Sequence, residues 1–268
     1  MITTTLFMNT LKLSALAVLA VLVLSCTTTT EPVKPITIDK TLVSTVTASN
    51  YAVELYADGA ITVGYTPLYV RIRHNGLTLT DVHVLITPNM DMGSIHHTCP
   101  VEQDEEVAPD KDGLYHSAAI FTMASDVGWK VGITIHDHDI DTTFTVHIPI
   151  AVGNSGNTVT LKDASSTKYI LTLKNAAWTV GMNDIMFNLY RTADGFDYTP
   201  VDDAEVSFAP TMPSMGHGSK GNVTPVATVG GWYVGRVNYT MTGDWQIALA
   251  VKTLDGQILT NNYQVVVR

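Results

Sequence analysis

The two halves of this chain repeat each other, and this repeat limits the possible folds more than any other feature. Residues 81–90 (DVHVLITPNM) align with residues 203–212 (DAEVSFAPTM) without a gap. Three shorter matches follow in the same order in both halves: Gly113–Tyr115 with Gly231–Tyr233, Phe121–Met123 with Tyr239–Met241, and Gly128–Val131 with Asp244–Ile247. Because a long-period repeat indicates repeated structural units, we predict two tandem domains rather than one large jelly roll or barrel.

Each unit is predicted to consist of β-strands. Residues 130–135 (KVGITI) and 143–148 (TFTVHI) alternate between large apolar side chains and polar or small ones. Such alternation marks half-buried strands, and no stretch of helical length and periodicity follows residue 25. About seven strands per 100 residues is the size of an immunoglobulin-like sandwich. The predicted fold class is therefore all-β, with two tandem immunoglobulin-like β-sandwich modules at 45–152 and 165–268 and a linker at 153–164.

The N-terminus is predicted to be a signal peptide. Lys12 is the only charged residue among the first 25, and an apolar run covers residues 13–24. That run is too short for a comfortable bilayer span and ends at the small residue Ser25, which is typical of a cleaved secretory signal. An uncleaved anchor helix is the alternative.

The two cysteines extend this prediction. Ser25 followed by Cys26 resembles the bacterial lipobox, which implies a signal peptide at 1–25, lipidation at Cys26 and a polar tether at 26–44. The mature protein is then expected in a bacterial cell envelope, anchored by lipid and facing the periplasm or the exterior. If Cys26 carries lipid, no intramolecular disulfide can form, so Cys99 is expected to be a surface thiol or a ligand.

Composition argues against disorder and against nucleic-acid binding. The chain is 46% hydrophobic and only 15% charged, whereas disordered chains are usually rich in charge and poor in aliphatic residues. Its formal net charge is −10, and it has no cluster of Lys and Arg to contact phosphates. We expect no nucleic-acid partner.

A candidate metal loop follows a predicted strand in the second module. Residues 210–218 (PTMPSMGHG) place two thioethers and an imidazole within six residues: Met212, Met215 and His217. Thioether sulfur is a soft, uncharged ligand that suits Cu(I), and imidazole also binds copper. Methionine often fills cores, but a loop bounded by Gly and Pro is a poor place for a core residue. The pattern therefore predicts a Cu(I) site.

The equivalent loop of the first module has a similar composition. Residues 88–100 contain two methionines, two histidines and the second cysteine: Met90, Met92, His96, His97 and Cys99. The same type of loop at the same place in both modules favours a second metal site.

One further methionine in each module lies at the end of a predicted strand, shortly before a tryptophan. Met123 and Met241 come shortly before Trp129 and Trp245. We expect all four to pack in the core, although the methionines could instead be additional thioether ligands.

A third histidine cluster occurs at residues 136–141 (HDHDID). In an extended segment His136 and His138 lie on one face, with Asp137 and Asp139 on the other. Two imidazoles at this spacing can chelate Zn²⁺ or Cu²⁺. The second module has no equivalent, so an acidic surface turn is the preferred interpretation.

No catalytic constellation is visible, and we expect no enzyme. Residues 216–221 (GHGSKG) match G-x-G-x-x-G, but no helix follows and no βαβ unit surrounds them. No nucleophile–base pair stands out.

The second module resembles the YtkA-like or FixH-like family. The resemblance lies in residues 210–218, in Gly231–Gly235 (GWYVG) and in Tyr239–Ile247 (YTMTGDWQI); the first module fits only in part. These families are small extracytoplasmic β-sandwich modules with a Met-Pro-x-Met-x-His loop. FixH-like members are associated with cytochrome oxidase assembly and copper delivery, and similar modules accompany metal-efflux systems. FixH-like proteins are usually single modules on a transmembrane helix, whereas this chain is predicted to be a tandem that follows a lipobox.

Two functions are therefore expected. The first is an extracytoplasmic lipoprotein that binds copper, as Cu(I), and passes it to a metal-acceptor protein. The alternative is a structural or adhesive module of the cell envelope that binds a protein or glycan partner without metal.

Overall fold

The computed structural model describes residues 38–93, 95–104, 107–174 and 177–268. The predicted signal peptide, Cys26 and most of the predicted tether lie outside these residues. Within the described part of the chain, no helix has the length and apolarity needed to cross a membrane.

The first module contains ten strands. They are β1 (Thr41–Ala48), β2 (Tyr51–Ala57), β3 (Gly64–His74), β4 (Leu77–Thr78), β5 (Val82–Asp91), β6 (His96–Thr98), β7 (Val101–Glu102), β8 (Tyr115–Phe121), β9 (Ser125–Asp137) and β10 (Thr142–Val152). One sheet has the order β1-β2-β3-β8-β7 with β4 on β3, and the other has the order β10-β9-β5-β6.

The second module repeats these ten strands. They are β11 (Thr158–Lys162), β12 (Lys168–Leu173), β13 (Gly181–Thr192), β14 (Thr199–Pro200), β15 (Glu205–Met212), β16 (His217–Gly218), β17 (Val223–Ala227), β18 (Trp232–Tyr239), β19 (Gly243–Lys252) and β20 (Ile258–Val267). The sheets have the orders β11-β12-β13-β18-β17, with β14 on β13, and β16-β15-β19-β20. The pairing order of the first module is reproduced strand for strand, which confirms the prediction of an all-β chain in two tandem sandwich-like halves.

Each half has its own core between its two sheets. In β10, Val146, Ile148 and Ile150 are buried while the residues between them are exposed. This is the period-two pattern of a strand with one face on the core. In the second half, Trp245 and Ile247 of β19 are fully buried in the same way.

Two strands extend into stretches that the sequence analysis assigned to connections. β11 (Thr158–Lys162) lies within the expected linker at 153–164 and pairs with β12 along its whole length. β1 begins at Thr41, within the expected tether at 26–44, and pairs with β2. The Gly/Asn/Ser-rich residues 153–157 suggested a linker, and β11 directly after them has no fully buried side chain to mark it as a strand.

The repeated Gly-x-Tyr motif (Gly113–Tyr115 and Gly231–Tyr233) connects one sheet, through its tyrosine hydroxyl, to the loop that leads into the other sheet. In the second module, the Tyr233 hydroxyl donates to the carbonyl of Val201 (2.9 Å) and accepts from the amide of Ala204 (3.0 Å). The Tyr115 hydroxyl makes the matching but longer contacts in the first module, 3.4 Å to the Leu79 carbonyl and 3.4 Å from the Val82 amide. A buried hydroxyl that bonds two backbone groups fixes the start of β5 and of β15.

The two sandwiches contact each other within one compact unit. Ile120, Ile170 and Tyr190 form a small apolar cluster between them. Polar contacts surround this cluster: the Trp232 indole donates to Glu102 (2.9 Å), and the Thr98 hydroxyl donates to the carbonyl of Phe196 (2.8 Å).

Candidate functional site

In the second module, strand pairing brings one thioether and one imidazole together. Met212 is the last residue of β15 and stands directly opposite His217 of β16. Side chains at opposed positions of an antiparallel pair share a face, with Cβ atoms about 5 Å apart. Met212 is 3% exposed, whereas His217 is half-buried. The pair therefore lies at the rim of the core, with sulfur inside and imidazole toward solvent.

One hydrogen bond determines which nitrogen of His217 is available. Nδ1 lies 3.0 Å from the carbonyl oxygen of Gly218. A carbonyl can only accept, so Nδ1 carries the hydrogen, and in the neutral ring the lone pair is on Nε2. A backbone carbonyl on the far nitrogen is a common way to orient a metal-binding histidine.

Trp245 completes a row of three side chains across the sheet. Extending the β15–β19 register by one residue places Met212 beside Trp245. The His217 and Trp245 rings meet edge to face with centroids 5.6 Å apart, although their strands lie on either side of β15. Met212 is thus flanked by an imidazole and an indole.

The connection before β19 holds this indole in place. The Trp245 N–H donates to the backbone carbonyl of Met241 (3.0 Å). At Gly243, an added Cβ would stand 3.1 Å from Cε of Met212, so the backbone approaches the thioether closely. The Met241 side chain is 38% exposed. Met241 therefore contributes its backbone to the site's support.

Met215 lies apart from this row. It occupies a short 3₁₀ turn, Pro213–Met215, and is 62% exposed. Gly216 then reverses the chain with φ of 64° and donates to the carbonyl of Met212 (3.0 Å). The turn therefore presents the second thioether to solvent.

The first module repeats the row. Met90 pairs with His97 on one side and with Trp129 on the other. The Trp129 indole donates to the carbonyl of Met123 (2.9 Å), as the Trp245 indole does to Met241. At Gly128 an added Cβ would lie 3.1 Å from Cε of Met90. The same His–Met–Trp arrangement therefore occurs at the same corner of both sandwiches.

The methionines are placed differently from the sequence expectation. Met90 and Met212 were expected in loops, but both end up in strands, buried in the two cores. Conversely, Met123 and Met241 were expected in the cores and are each 38% exposed, because only their backbone carbonyls turn toward the tryptophans. Trp129 and Trp245 are fully buried, as expected.

The remaining loop residues of the first module do not join its row. Met92 is 53% exposed, and His96 lies 3.8 Å from Asp91 at the surface. Cys99 is neither a surface thiol nor an accessible ligand: it is 4% exposed in the first core. Burial raises the pKa of its thiol above the usual range, because an apolar site disfavours the thiolate.

The third histidine cluster is only partly the surface turn that the sequence suggested. Asp139 and Asp141 are exposed, but Asp137 is 2% exposed and accepts a hydrogen bond from the Tyr51 hydroxyl (2.6 Å). The rings of His136 and His138 lie 5.0 Å apart.

Among the described residues, no three His, Cys, Asp or Glu side chains are arranged so that they could together hold a metal ion. The donors that the second module does bring together are a thioether and an imidazole. This pair has no carboxylate or thiolate, so it fits a soft, singly charged ion better than a hard divalent one.

Comparison with known proteins supports part of the expected family resemblance. The family model described as YtkA-like matches residues 162–250, which confirms a YtkA-like domain in the second module. No curated protein matches the chain.

Solved structures similar to this chain include three bacterial surface proteins. Domains 5–6 of the S-layer protein SbsC are 12% identical, with 85% of this chain and 98% of that one covered and a TM-score of 0.32. The Yersinia pseudotuberculosis adhesin InvE is 14% identical (76% and 55% covered, TM-score 0.26). A C-terminal fragment of intimin is 13% identical (83% and 64% covered, TM-score 0.27).

Proposed function

We propose that this chain, whose second module is YtkA-like, binds Cu(I) through Met212 and His217 and passes it to a metal-acceptor protein. One observation carries the proposal: β15 and β16 hold a thioether opposite an imidazole whose Nδ1–H is already bonded to the Gly218 carbonyl. This leaves Nε2 as the metal-binding nitrogen. No catalytic role is included in the proposal.

The surroundings of the pair suit a transferable ion. Trp245 covers one side of Met212 and excludes water, while His217 is half-buried and Met215 is exposed. Methionine sulfur is neutral, so bound Cu(I) keeps its positive charge and is not trapped by an anionic ligand. The exposed thioether of Met215 is the group that would meet an incoming or departing ion.

The repeated row gives the first module a corresponding role. Met90 and His97 are opposed as Met212 and His217 are. We propose a second, separate Cu(I) site there, which makes the expected stoichiometry two ions per chain.

We also propose that the chain acts in a bacterial cell envelope, anchored by lipid at Cys26. The sequence pattern around Cys26 supports this location. A lipid anchor would keep the copper-binding modules next to the membrane, close to membrane-bound copper proteins.

The test is a Cu(I) titration of the detergent-solubilised full chain under reducing conditions against a chromogenic Cu(I) chelator. Met212→Leu removes the sulfur while keeping the volume of a buried side chain, and His217→Gln removes the imidazole. We expect either change to remove one of two bound ions. Met182→Leu, at a half-exposed methionine of the same module, is the matched control and should bind as the wild type does.

A different result would favour the structural alternative. Met212 is buried enough to be a packing residue, so the row could serve the core alone. If the wild type does not compete with the chelator, or if Met212→Leu and His217→Gln bind copper normally, the Cu(I) site is refuted. The modules would then be a scaffold that binds a protein or glycan.

A further inference from the structure

The structure adds His83, from strand β5, to the third histidine cluster. In the β5–β9 pair His83 stands directly opposite His136, so both imidazoles project from the outer face of the same sheet. The His138 ring lies 5.0 Å from the His136 ring. His83 is 53 residues away from His136 in sequence, so the sequence alone does not connect it with the His136–His138 motif. Strand register and one ring contact therefore place three histidines at this end of the first module.

The hydrogen bonds of two of these rings leave the same nitrogen unused. Nδ1 of His138 is bonded to Asp81 Oδ1 (2.9 Å), and Nδ1 of His136 is bonded to the Thr143 hydroxyl (2.8 Å). A carboxylate on the far nitrogen orients a histidine ligand and increases its basicity. The Asp81 carboxylate can only accept, so it holds His138 with Nε2 available. The Thr143 hydroxyl leaves Nε2 of His136 available when it accepts the hydrogen of Nδ1.

The third ring has an unsatisfied nitrogen. Nε2 of His83 is buried and, among the described residues, has no hydrogen-bond partner. Buried polar atoms without a partner are uncommon in folded proteins. A metal ion bound at this atom would provide the missing interaction.

The spacing of the rings is close to that of a zinc site. When two imidazoles bind one tetrahedral Zn²⁺, their ring centroids lie about 5 Å apart, because each nitrogen is about 2.0 Å from the ion. The His136–His138 separation of 5.0 Å agrees with this value. The described residues do not already gather three ligands around one point, so the rings have to turn to bring three Nε2 atoms to one ion. His136 and His138 have room to turn, because 35% and 46% of their side-chain surfaces are exposed. Asp81, whose side chain is 77% exposed, can move with the His138 ring.

We propose that His83, His136 and His138 form a binding site for Zn²⁺ or another divalent ion that prefers nitrogen ligands. Asp81 and Thr143 are positioning residues, and Asp141, whose carboxylate is 3.9 Å from Nε2 of His136, is the nearest oxygen donor. This site has no thioether and lies on the outer face of its sheet. It is therefore separate from the two Cu(I) sites and does not depend on them.

The experiment is calorimetric titration of the metal-free, detergent-solubilised full chain with Zn²⁺. We expect one Zn²⁺ per chain at this cluster and at least a ~10-fold weaker affinity in a His136→Gln/His138→Gln variant. His147→Gln is the matched control, since His147 is exposed on the same face of the sheet in β10. His147→Gln should bind Zn²⁺ as the wild type does, and His217→Gln measures any Zn²⁺ that binds at the candidate copper site instead.

His83 is tested by its own resonance and its own variant. Zn²⁺ should shift the Nε2 signal of His83 in ¹⁵N nuclear magnetic resonance, and His83→Gln should weaken binding while the circular dichroism spectrum stays native. The proposal is wrong if the wild type binds no Zn²⁺. It is also wrong if the double variant or His83→Gln binds Zn²⁺ as tightly as the wild type, or if His147→Gln removes binding equally.

Discussion

Replacing Gly231 by alanine should destabilise the second module far more than replacing its neighbour Gly230. Both glycines have positive φ, +80° and +76°, so an alanine at either position adopts an unfavourable backbone conformation. Their surroundings differ. A Cβ on Gly231 would lie 2.5 Å from the carbonyl oxygen of Leu189, whereas the nearest atom to a Cβ on Gly230 is 4.0 Å away, on the Trp232 side chain.

The clash at Gly231 cannot be relieved by rotating a side chain. The Leu189 carbonyl accepts a hydrogen bond from Val201 (3.0 Å), and the Leu189 amide donates to the carbonyl of Gly231 itself (2.8 Å). Moving Leu189 therefore disturbs two backbone bonds of β13. We estimate ~1–2 kcal/mol for the backbone conformation at either position and a further ~1–3 kcal/mol for the overlap at Gly231.

The assay is thermal unfolding by circular dichroism, with urea unfolding as a second measure. With roughly 4–8 °C per kcal/mol for a domain near 100 residues, the Gly231→Ala Tm should fall well below that of Gly230→Ala. Gly113→Ala, at the equivalent glycine of the first module, is an informative third variant. Its Cβ would clash with the Cγ2 methyl of Thr78 (2.6 Å), a side-chain atom that can move, so we expect an intermediate effect. Equal stability of the Gly230 and Gly231 variants would refute the reasoning.

Two further predictions concern charge and anchoring. Burial alone would raise the pKa of Glu54, but hydrogen bonds from Arg71 and Tyr56 outweigh it and hold that pKa below the usual value. The contribution of ionised Glu54 to stability is therefore present above the unfolded-state pKa and is lost as pH falls through the folded-state pKa. Glu54→Gln should therefore cost about 3 kcal/mol in urea unfolding at pH 7, because it leaves Arg71 buried without its anion. The cost should decrease as pH falls through the folded-state pKa of Glu54, and a pH-independent cost would contradict this. Asp184→Asn, in an exposed pair with Arg236, should have almost no effect. For the anchor, mass spectrometry of the protein expressed in a bacterium should find lipid on Cys26 and none in Cys26→Ser, and an unmodified, uncleaved wild-type chain would disprove the lipoprotein assignment.

The sequence alone was sufficient for the architecture. Strand alternation depends on local burial, and the repeat depends on two similar units, so both are visible without coordinates. The Gly-x-Tyr motif and the sequence Met241–Trp245 (Met-x-Gly-x-Trp) also correspond to structural features. Gly231 needs a positive φ beside Leu189, and the Trp245 indole bonds the carbonyl of Met241. β11 was not predicted, because it follows the Gly/Asn/Ser-rich stretch at 153–157 and none of its side chains is fully buried.

The composition of the candidate sites was decided by strand pairing. Whether Met212 is a loop ligand or a buried side chain depends on how far β15 extends. Met241 is partly exposed, whereas Trp245, four residues later, is fully buried. Cys99 is buried because its segment leads from β6 into β7 over the first core, a result of long-range packing that no local pattern records. His83 joins His136 only through the register of β5 against β9. Register between strands distant in sequence is set by the whole sheet, and for that reason the histidine cluster became visible only in the tertiary structure.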